Sequence, residues 1–287
     1  MRGLRTTTVT FVAGALLGGA ATAFAQRAAA PAESPKASAP IDVTGYWVAV
    51  VSEDWRHRMM TPRKGDFESL PLNAEGRRAA NAWSLDADNA AGEQCKAFGV
   101  GSIMRQPGRL HITWADDDTL KIDFDAGTQT RLLEFGTPPA AGANSWQGLS
   151  RARWIRPPGS GGGPVRAQIG NDAGPVLAGG GGRGQRGGPP PTAALNEGGS
   201  IEVTTTNFRS GYLRKNGVPY SENAKITEFI HRLPAAPNGD VWLHVVTIVD
   251  DPQYLSEPYY TSVMFKREQN GAKWHPTACN TPPPPAG

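Results

Sequence analysis

Hydrophobic and polar residues alternate in nine short runs, each with the length and flanking turn residues of a β-strand. The runs are Gly45–Val51, Arg109–Ala115, Thr119–Asp125, Thr128–Phe135, Trp146–Ile155, Ser200–Asn207, Ala224–Leu233, Asp240–Asp250 and Pro258–Arg267. Asn73 can cap a helix over Ala74–Leu85, and a shorter helical piece is predicted over Glu93–Phe98. This pattern predicts an all-β fold, either an antiparallel barrel of about 8–10 strands or a sandwich, with a helix across one opening.

The spacing of residues around two turns predicts how the strands pair. A turn at Asp116–Asp118 places six apolar residues on one face when Leu110 pairs with Phe124, Ile112 with Ile122 and Trp114 with Leu120. A longer loop before Val241 would place His231 opposite His244 and Glu228 opposite Thr247.

The turn at Ala126-Gly127 leaves two registers open. A two-residue turn pairs Ile122 with Arg131 and brings Arg131 onto the apolar face, where it needs a carboxylate or a ligand as partner. A one-residue bulge would instead place Arg131 outside.

Composition divides the chain into segments. Residues 1–25 have two arginines, an apolar run and an Ala-Phe-Ala cleavage pattern, which predicts a signal peptide and a periplasmic or secreted protein. Residues 26–40 are predicted to be a flexible linker, and residues 41–279 a single domain. A Gly/Pro-rich stretch at 157–199 is predicted to be a disordered insertion, and residues 280–287 a disordered tail.

Two cysteines, Cys95 and Cys279, are present in the chain. In an exported protein they predict one disulfide, and the alternative is a nucleophilic or redox cysteine.

Charge limits the classes of partner. The formal net charge is +3, and the sequence has no local basic patch of the kind that binds nucleic acid. We therefore expect that nucleic acid is not a partner. No second apolar segment is long enough to span a bilayer, so we expect no membrane insertion after cleavage. The sequence leaves the oligomeric state open.

One short motif and three longer stretches of the chain resemble known protein families. Gly45-Tyr46-Trp47 carries the G-x-W pattern that opens lipocalin-like (calycin) barrels. The stretches LNAEGRRAANAW, GYLRKNGVPYSENAKITEF and VDDPQYLSEPYYTS are similar to a family of secreted bacterial proteins with no assigned activity. This resemblance implies an exported lipocalin-like β-barrel and transfers no catalytic residue. The helix after the first strand and the long insertion depart from the plain lipocalin pattern.

Known catalytic motifs are absent from the sequence. It has no G-x-S-x-G, H-E-x-x-H, P-loop or dinucleotide fingerprint, and the five histidines lack metal-ligand spacing. We therefore expect no metal and no cofactor.

Two loops concentrate groups that could bind or react. Asp54–Arg58 combines an acid with Trp55 and His57, and Gly211–Tyr220 combines Tyr212, Arg214 and Tyr220 around a tight turn. Tyrosine and arginine together suit an anionic or aromatic ligand, or a tyrosine acting as acid or base. Each loop also has a purely structural interpretation, as a solvated charged loop or a corner whose tyrosines bond backbone groups.

These residues support three hypotheses. The first is an exported binding protein that holds a small apolar or aromatic ligand in the barrel through Trp55, Arg131, Tyr212 and Tyr220. The second is a periplasmic acid/base enzyme (a lyase, isomerase or hydrolase), with catalytic candidates His57, Tyr212, Arg214, Tyr220 and Glu228. The third is a protein-interaction module. Convergence of the five candidates on one pocket would favour the enzyme.

Overall fold

Nine strands close into a barrel in the computed structural model, which describes residues 33–137, 139–156 and 198–285. In chain order the strands are β1 (Gly45–Val50), β2 (Arg109–Trp114), β3 (Thr119–Phe124), β4 (Gln129–Glu134), β5 (Leu149–Ile155), β6 (Ser200–Thr206), β7 (Gly211–Arg214), β8 (Val218–Tyr220), β9 (Lys225–Arg232), β10 (Trp242–Asp250) and β11 (Tyr259–Glu268). β7 and β8 form a separate hairpin, and the others close in the order β1-β11-β10-β9-β6-β5-β4-β3-β2. The predicted barrel is confirmed, and a sandwich is excluded.

One strand pair departs from the predicted antiparallel arrangement. β4 and β5 are parallel, with Leu133 opposite Ser150 and Glu134 opposite Arg151. Residues 135–148 separate the two strands, and a connection of this length can carry the chain back along the barrel before the next strand begins.

The predicted registers are confirmed. Leu110 pairs with Phe124 and Ile112 with Ile122, as the alternation of apolar residues requires. His231 lies opposite His244 in the β9–β10 pair. Of the two registers left open for β3 and β4, the structure has the one that pairs Ile122 with Arg131.

Three short helices lie between β1 and β2: α1 (Trp55–Met59), α2 (Ala74–Ala82) and α3 (Leu85–Ala90). The Asn73 side chain accepts a hydrogen bond from the Gly76 amide, so the predicted cap is confirmed. The predicted end at Leu85 is wrong, because the Ser84 side chain accepts from the Ala87 amide and begins a new helix there. The predicted piece near Glu93 is a 3-10 helix over Gln94–Phe98, and two further 3-10 turns cover Ile103–Arg105 and Ala126–Thr128.

The connections 51–108, 207–224 and 251–258 all leave the barrel at the same end. We call it the helical end, because α1, α2 and α3 lie there. Cys95 and Cys279 form a disulfide, as predicted, and join the 3-10 helix at this end to the last described residues. The Thr61 hydroxyl donates to the Pro282 carbonyl, so this part of the predicted tail contacts the domain.

At the opposite end, residues 33–44 cross the barrel. Ile41 and Val43 are buried in the core, and the Trp154 indole donates to the Pro35 carbonyl at 2.9 Å. Residues 33–40, predicted as part of a flexible linker, therefore lie against the strands. The predicted signal peptide, residues 26–32 and 157–197, and the last two residues lie outside the described residues.

Apolar side chains fill the barrel interior. The buried cluster there includes Trp47, Ile112, Leu120, Ile122, Leu133, Ile201, Leu243 and Phe265. Burying each such side chain contributes about 1.5–3 kcal/mol. A second cluster under the helical end includes Leu72, Phe208, Val218, Tyr220, Ile226 and Leu255. Over the described ranges, none of the helices is both long and apolar enough to cross a bilayer.

Candidate functional site

An ion pair occupies the barrel interior between the two apolar clusters. Arg131 on β4 and Glu228 on β9 are both almost completely buried, with Nη2–Oε2 at 2.6 Å and Nη1–Oε1 at 3.2 Å. Arg131 Nη2 also donates to the hydroxyls of Ser150 and Thr205, and the Thr247 hydroxyl donates to Glu228 at 3.4 Å. The partner that a buried Arg131 requires is thus a carboxylate of the chain itself.

A cleft of about 310 Å³ opens at the helical end, between the α2–α3 corner and the β7–β8 hairpin. Six of the residues that line it are Ala82, Trp83, Lys96, Tyr212, Pro219 and Tyr254. Gly217, at the hairpin turn, has φ +80°, and a Cβ at this position would overlap the Trp83 ring. The predicted tight turn therefore lets the indole pack directly on the hairpin.

The Asp88 carboxylate joins three walls of this cleft. It accepts hydrogen bonds from the Tyr212 hydroxyl at 2.8 Å, from Lys96 Nζ at 3.0 Å and from the Trp83 indole at 3.1 Å. The Lys96 ammonium also lies 5.7 Å from the centre of the Tyr212 ring. With its acceptor positions used, Asp88 holds the aromatic rings in one arrangement.

Tyr212 is poorly suited to acid–base chemistry near neutral pH. Burial raises the pKa of its hydroxyl, and the hydrogen bond to Asp88 and the charge of that carboxylate raise it further. A tyrosine that works as a base needs a lowered pKa, supplied by a nearby cation. The Lys96 ammonium is present, but Asp88 acts more strongly on the hydroxyl.

Tyr220 forms part of the cleft wall from within the second core cluster and is completely buried. A Cβ on Gly99, Gly101 or Gly211 would overlap its ring or hydroxyl, so three glycines make room for it. Burial raises the pKa of its hydroxyl. Its position is that of a packing residue that shapes the cleft.

The remaining candidates lie elsewhere. Arg214 is buried at the end of β7, and His57 on α1 is close enough for the Arg214 charge to act on it. Trp55 is 60% exposed on α1 and does not line the cleft. The five proposed catalytic residues therefore occupy three places: the cleft, the region of Arg214, and the barrel interior.

The sequence reasoning missed Trp83, Asp88, Lys96 and Tyr254. Ser84, followed by Asp86 and Asp88 in the next helical turn, is the N-terminal signal of a second helix, and could have indicated a corner there. No local pattern places Tyr254 beside it, because Tyr254 comes from the distant connection before β11.

Comparison of the chain with protein-family models, with curated proteins and with solved structures finds no match. Within residues 33–137, 139–156 and 198–285, no three His, Cys, Asp or Glu side chains are arranged to hold a metal ion. The geometry of the cleft is therefore the basis for assigning a function.

Proposed function

We propose that this chain is an exported, non-enzymatic binding protein of the lipocalin-like kind, and that its small-molecule ligand lies in the cleft at the helical end. One observation carries the proposal: Tyr212, expected to bind ligand, lines this cleft together with Trp83 and Tyr254, while the buried Tyr220 supports its wall. The barrel interior, where lipocalin-like proteins hold ligands, is filled here by side chains and the Arg131–Glu228 pair.

The lining of the cleft favours a small, uncharged aromatic ligand. Trp83, Tyr212 and Tyr254 supply three aromatic rings to its wall, whereas the polar ends of Trp83, Lys96 and Tyr212 are already bonded to Asp88. A volume of about 310 Å³ lies at the lower end of the range of ligand pockets. A molecule of one or two rings matches this size and offers stacking surface to the tyrosine and tryptophan.

A binding role agrees better with the side chains than catalysis does. The raised pKa values of Tyr212 and Tyr220 keep both hydroxyls protonated near neutral pH. Glu228 is paired inside the barrel, away from the cleft. The groups proposed for acid–base chemistry therefore lack a common pocket, and the two tyrosines lack the lowered pKa values that a tyrosine base requires.

Export is supported by two independent features. Residues 1–25 have the pattern of a cleavable secretory leader. The disulfide between Cys95 and Cys279 is of the kind that persists in an oxidising compartment. We accordingly place the protein in the periplasm or outside the cell.

Titration with indole, followed by the ¹H–¹⁵N signal of the Trp83 indole, tests the cleft. We expect saturable shifts of this signal, and a Kd at least about tenfold higher in Tyr212→Ala, which corresponds to about 1.4 kcal/mol. Tyr260→Ala is the matched control, because Tyr260 is 63% exposed and does not line the cleft. An unshifted Trp83 signal at saturating indole, or equal weakening in both variants, would overturn the proposal.

A further inference from the structure

Arg214 is a buried cation whose guanidinium is bonded by no carboxylate or carbonyl oxygen of the described residues. It lies at the end of β7 with 3% of its surface exposed, and Nε, Nη1 and Nη2 have no partner at hydrogen-bond geometry among the described residues. A buried guanidinium normally bonds to carboxylate or carbonyl oxygens, because an isolated buried charge is costly. The Tyr259 side chain acts on the guanidinium by charge and as a hydrogen-bond partner outside ideal geometry. Because no described carboxylate or carbonyl oxygen bonds to Arg214, its donors can bond to an oxyanion.

Four titratable groups near Arg214 interact with it electrostatically: three influence its pKa, and the fourth, His57, has its own pKa lowered by the Arg214 charge. They are Asp54 and His57 at α1, Arg105 in the 3-10 turn and Tyr259 at the start of β11. Asp54 Oδ2 is bonded to Arg105 Nη2 at 2.8 Å. Burial works to raise the pKa of Asp54, but Arg105 and then Arg214 hold it below its ordinary value. One carboxylate is thus shared between two guanidinium groups.

A third guanidinium extends this group. Arg58 is 2% exposed, and its Nη1 lies 3.3 Å from Glu53 Oε1, while its Nη2 has no hydrogen-bond partner in the described part of the chain. We call Arg58, Arg105 and Arg214 the arginine cluster. Two carboxylates, Glu53 and Asp54, face its three positive charges.

The neighbouring titratable groups leave this excess of positive charge in place. Asp66 lies 3.5 Å from the His57 ring, but it is paired with Arg56 at 3.0 Å, so each added negative charge comes with a positive one. Burial lowers the pKa of His57, and the charge of Arg214 lowers it further, so near neutral pH the ring favours its neutral form. The Lys215 ammonium donates to the Arg58 carbonyl at 3.0 Å and contributes another cation. A negatively charged group would therefore be stabilised here by charge as well as by hydrogen bonds.

We propose that the arginine cluster binds one small oxyanion of the phosphate type, with Arg214 as its main hydrogen-bond donor. A guanidinium presents its N–H groups in a fork that matches the oxygens of phosphate, sulfate or carboxylate. The Asp54 side chain is 38% exposed, so the cluster reaches solvent on this side. This site is separate from the cleft and does not depend on indole binding there.

The test compares thermal unfolding of the full chain with added phosphate, glycerol 3-phosphate or acetate, each against sodium chloride of equal ionic strength. A ligand that binds only the folded state raises Tm progressively with its concentration. We expect such a rise with phosphate or glycerol 3-phosphate, and at least a tenfold loss of apparent affinity in Arg214→Met. A larger rise with glycerol 3-phosphate would identify a phosphate ester as the source of the group, and a larger rise with phosphate would identify the free ion.

Two controls separate binding from general charge effects and from misfolding. Arg153→Met removes an exposed arginine paired with Glu202 and should leave the rise in Tm intact. The ¹H–¹⁵N signal of Arg214 Nε in the unmodified protein should shift with phosphate, and this readout holds even if Arg214→Met does not fold. Equal Tm values in phosphate and chloride, or an unmoved Nε signal at saturating phosphate, would overturn the proposal.

Discussion

At the residue scale, the buried pair of Arg131 and Glu228 shows how the register of one strand pair determines whether a charged side chain is buried. Arg131 points inward because Ile122 lies opposite it, and β9 brings Glu228 to the same level of the interior. The sequence predicts that a buried Arg131 needs a partner, but it does not identify that partner. The pairing of strands distant in sequence, which no local pattern reveals, supplies the carboxylate.

The first prediction concerns this pair. Glu228→Ala leaves the Arg131 charge buried without its partner and should cost about 3–5 kcal/mol of unfolding free energy. The double variant Arg131→Leu with Glu228→Leu removes both charges and should recover most of that loss. Urea unfolding measures both, and a double variant as unstable as Glu228→Ala would show that an unpaired charge is not the cause.

The second prediction is a pH effect at His57. Burial, and then the charge of Arg214, lower the pKa of His57 in the folded chain, so the unfolded chain takes up the proton first as pH falls. Stability should therefore fall as pH drops below about 6.5, the ordinary histidine value. His57→Gln should reduce this slope between about pH 7.5 and 5, although His231, lowered by burial and then by His244, contributes in the same direction. An unchanged slope in chemical denaturation would contradict the assignment.

At the element scale, Asn73 has two structural roles at the start of α2. Its side-chain oxygen caps the helix, and its amide nitrogen lies within hydrogen-bond distance of the carbonyls of Pro252, Gln253 and Leu255. The helix is thereby tied to the connection that carries Tyr254 into the cleft.

The third prediction separates the role of Asn73 as a helix cap from its role in tying α2 to the connection before β11. Asn73→Ala should cost about 1–2 kcal/mol, because it loses the cap and the tie together. Asn73→Asp keeps the cap acceptor, loses the tie and places a carboxylate oxygen beside the carbonyls that the amide nitrogen contacts. Ser84→Ala, which removes a cap alone, should cost about 0.5–1 kcal/mol in the same urea titration. An Asn73→Ala variant no less stable than Ser84→Ala would contradict the second role.

The nine barrel strands could be predicted because apolar and polar residues alternate in each over five or more residues, and the turns between them fix how neighbours pair. The hairpin strands β7 and β8 were interpreted as a loop, because they have only four and three residues. The helices were harder. α1 has five residues, with Asp54 in the left-handed region and no side-chain cap, so the usual start signals are absent. The parallel placement of β5 also has no local signal, because the long connection after β4 does not fix the direction of the next strand as a tight turn does.

At the scale of the whole molecule, the Cys95–Cys279 disulfide closes a loop of 184 residues and ties the last described segment to the helical end.

The fourth prediction is that replacing both cysteines with serine lowers the free energy of unfolding by up to about 5 kcal/mol in the chain-entropy model. Urea unfolding of the oxidised protein and of the double serine variant measures the difference. A difference under about 1 kcal/mol would mean that the covalent link adds little to the packing around it.

The candidate site was predictable only in part. Tyr212 and Tyr220 were identified from their loop, because tyrosines beside a tight turn and two cations are unusual. The position of the cleft was not, since it depends on α3, Lys96 and Tyr254 meeting the hairpin from distant parts of the chain. A count of aromatic residues also could not reveal that Trp47 and Phe265 fill the barrel in which a ligand was expected.

Intermolecular nuclear Overhauser effects between bound indole and the protein would locate the ligand most directly. Binding at the helical end predicts contacts from indole to the rings of Trp83 and Tyr212 and to the Ala82 methyl group. It also predicts none to Ile122 or Leu243, which lie in the packed interior. Contacts to those interior methyl groups would contradict the proposed location and return the ligand to the barrel.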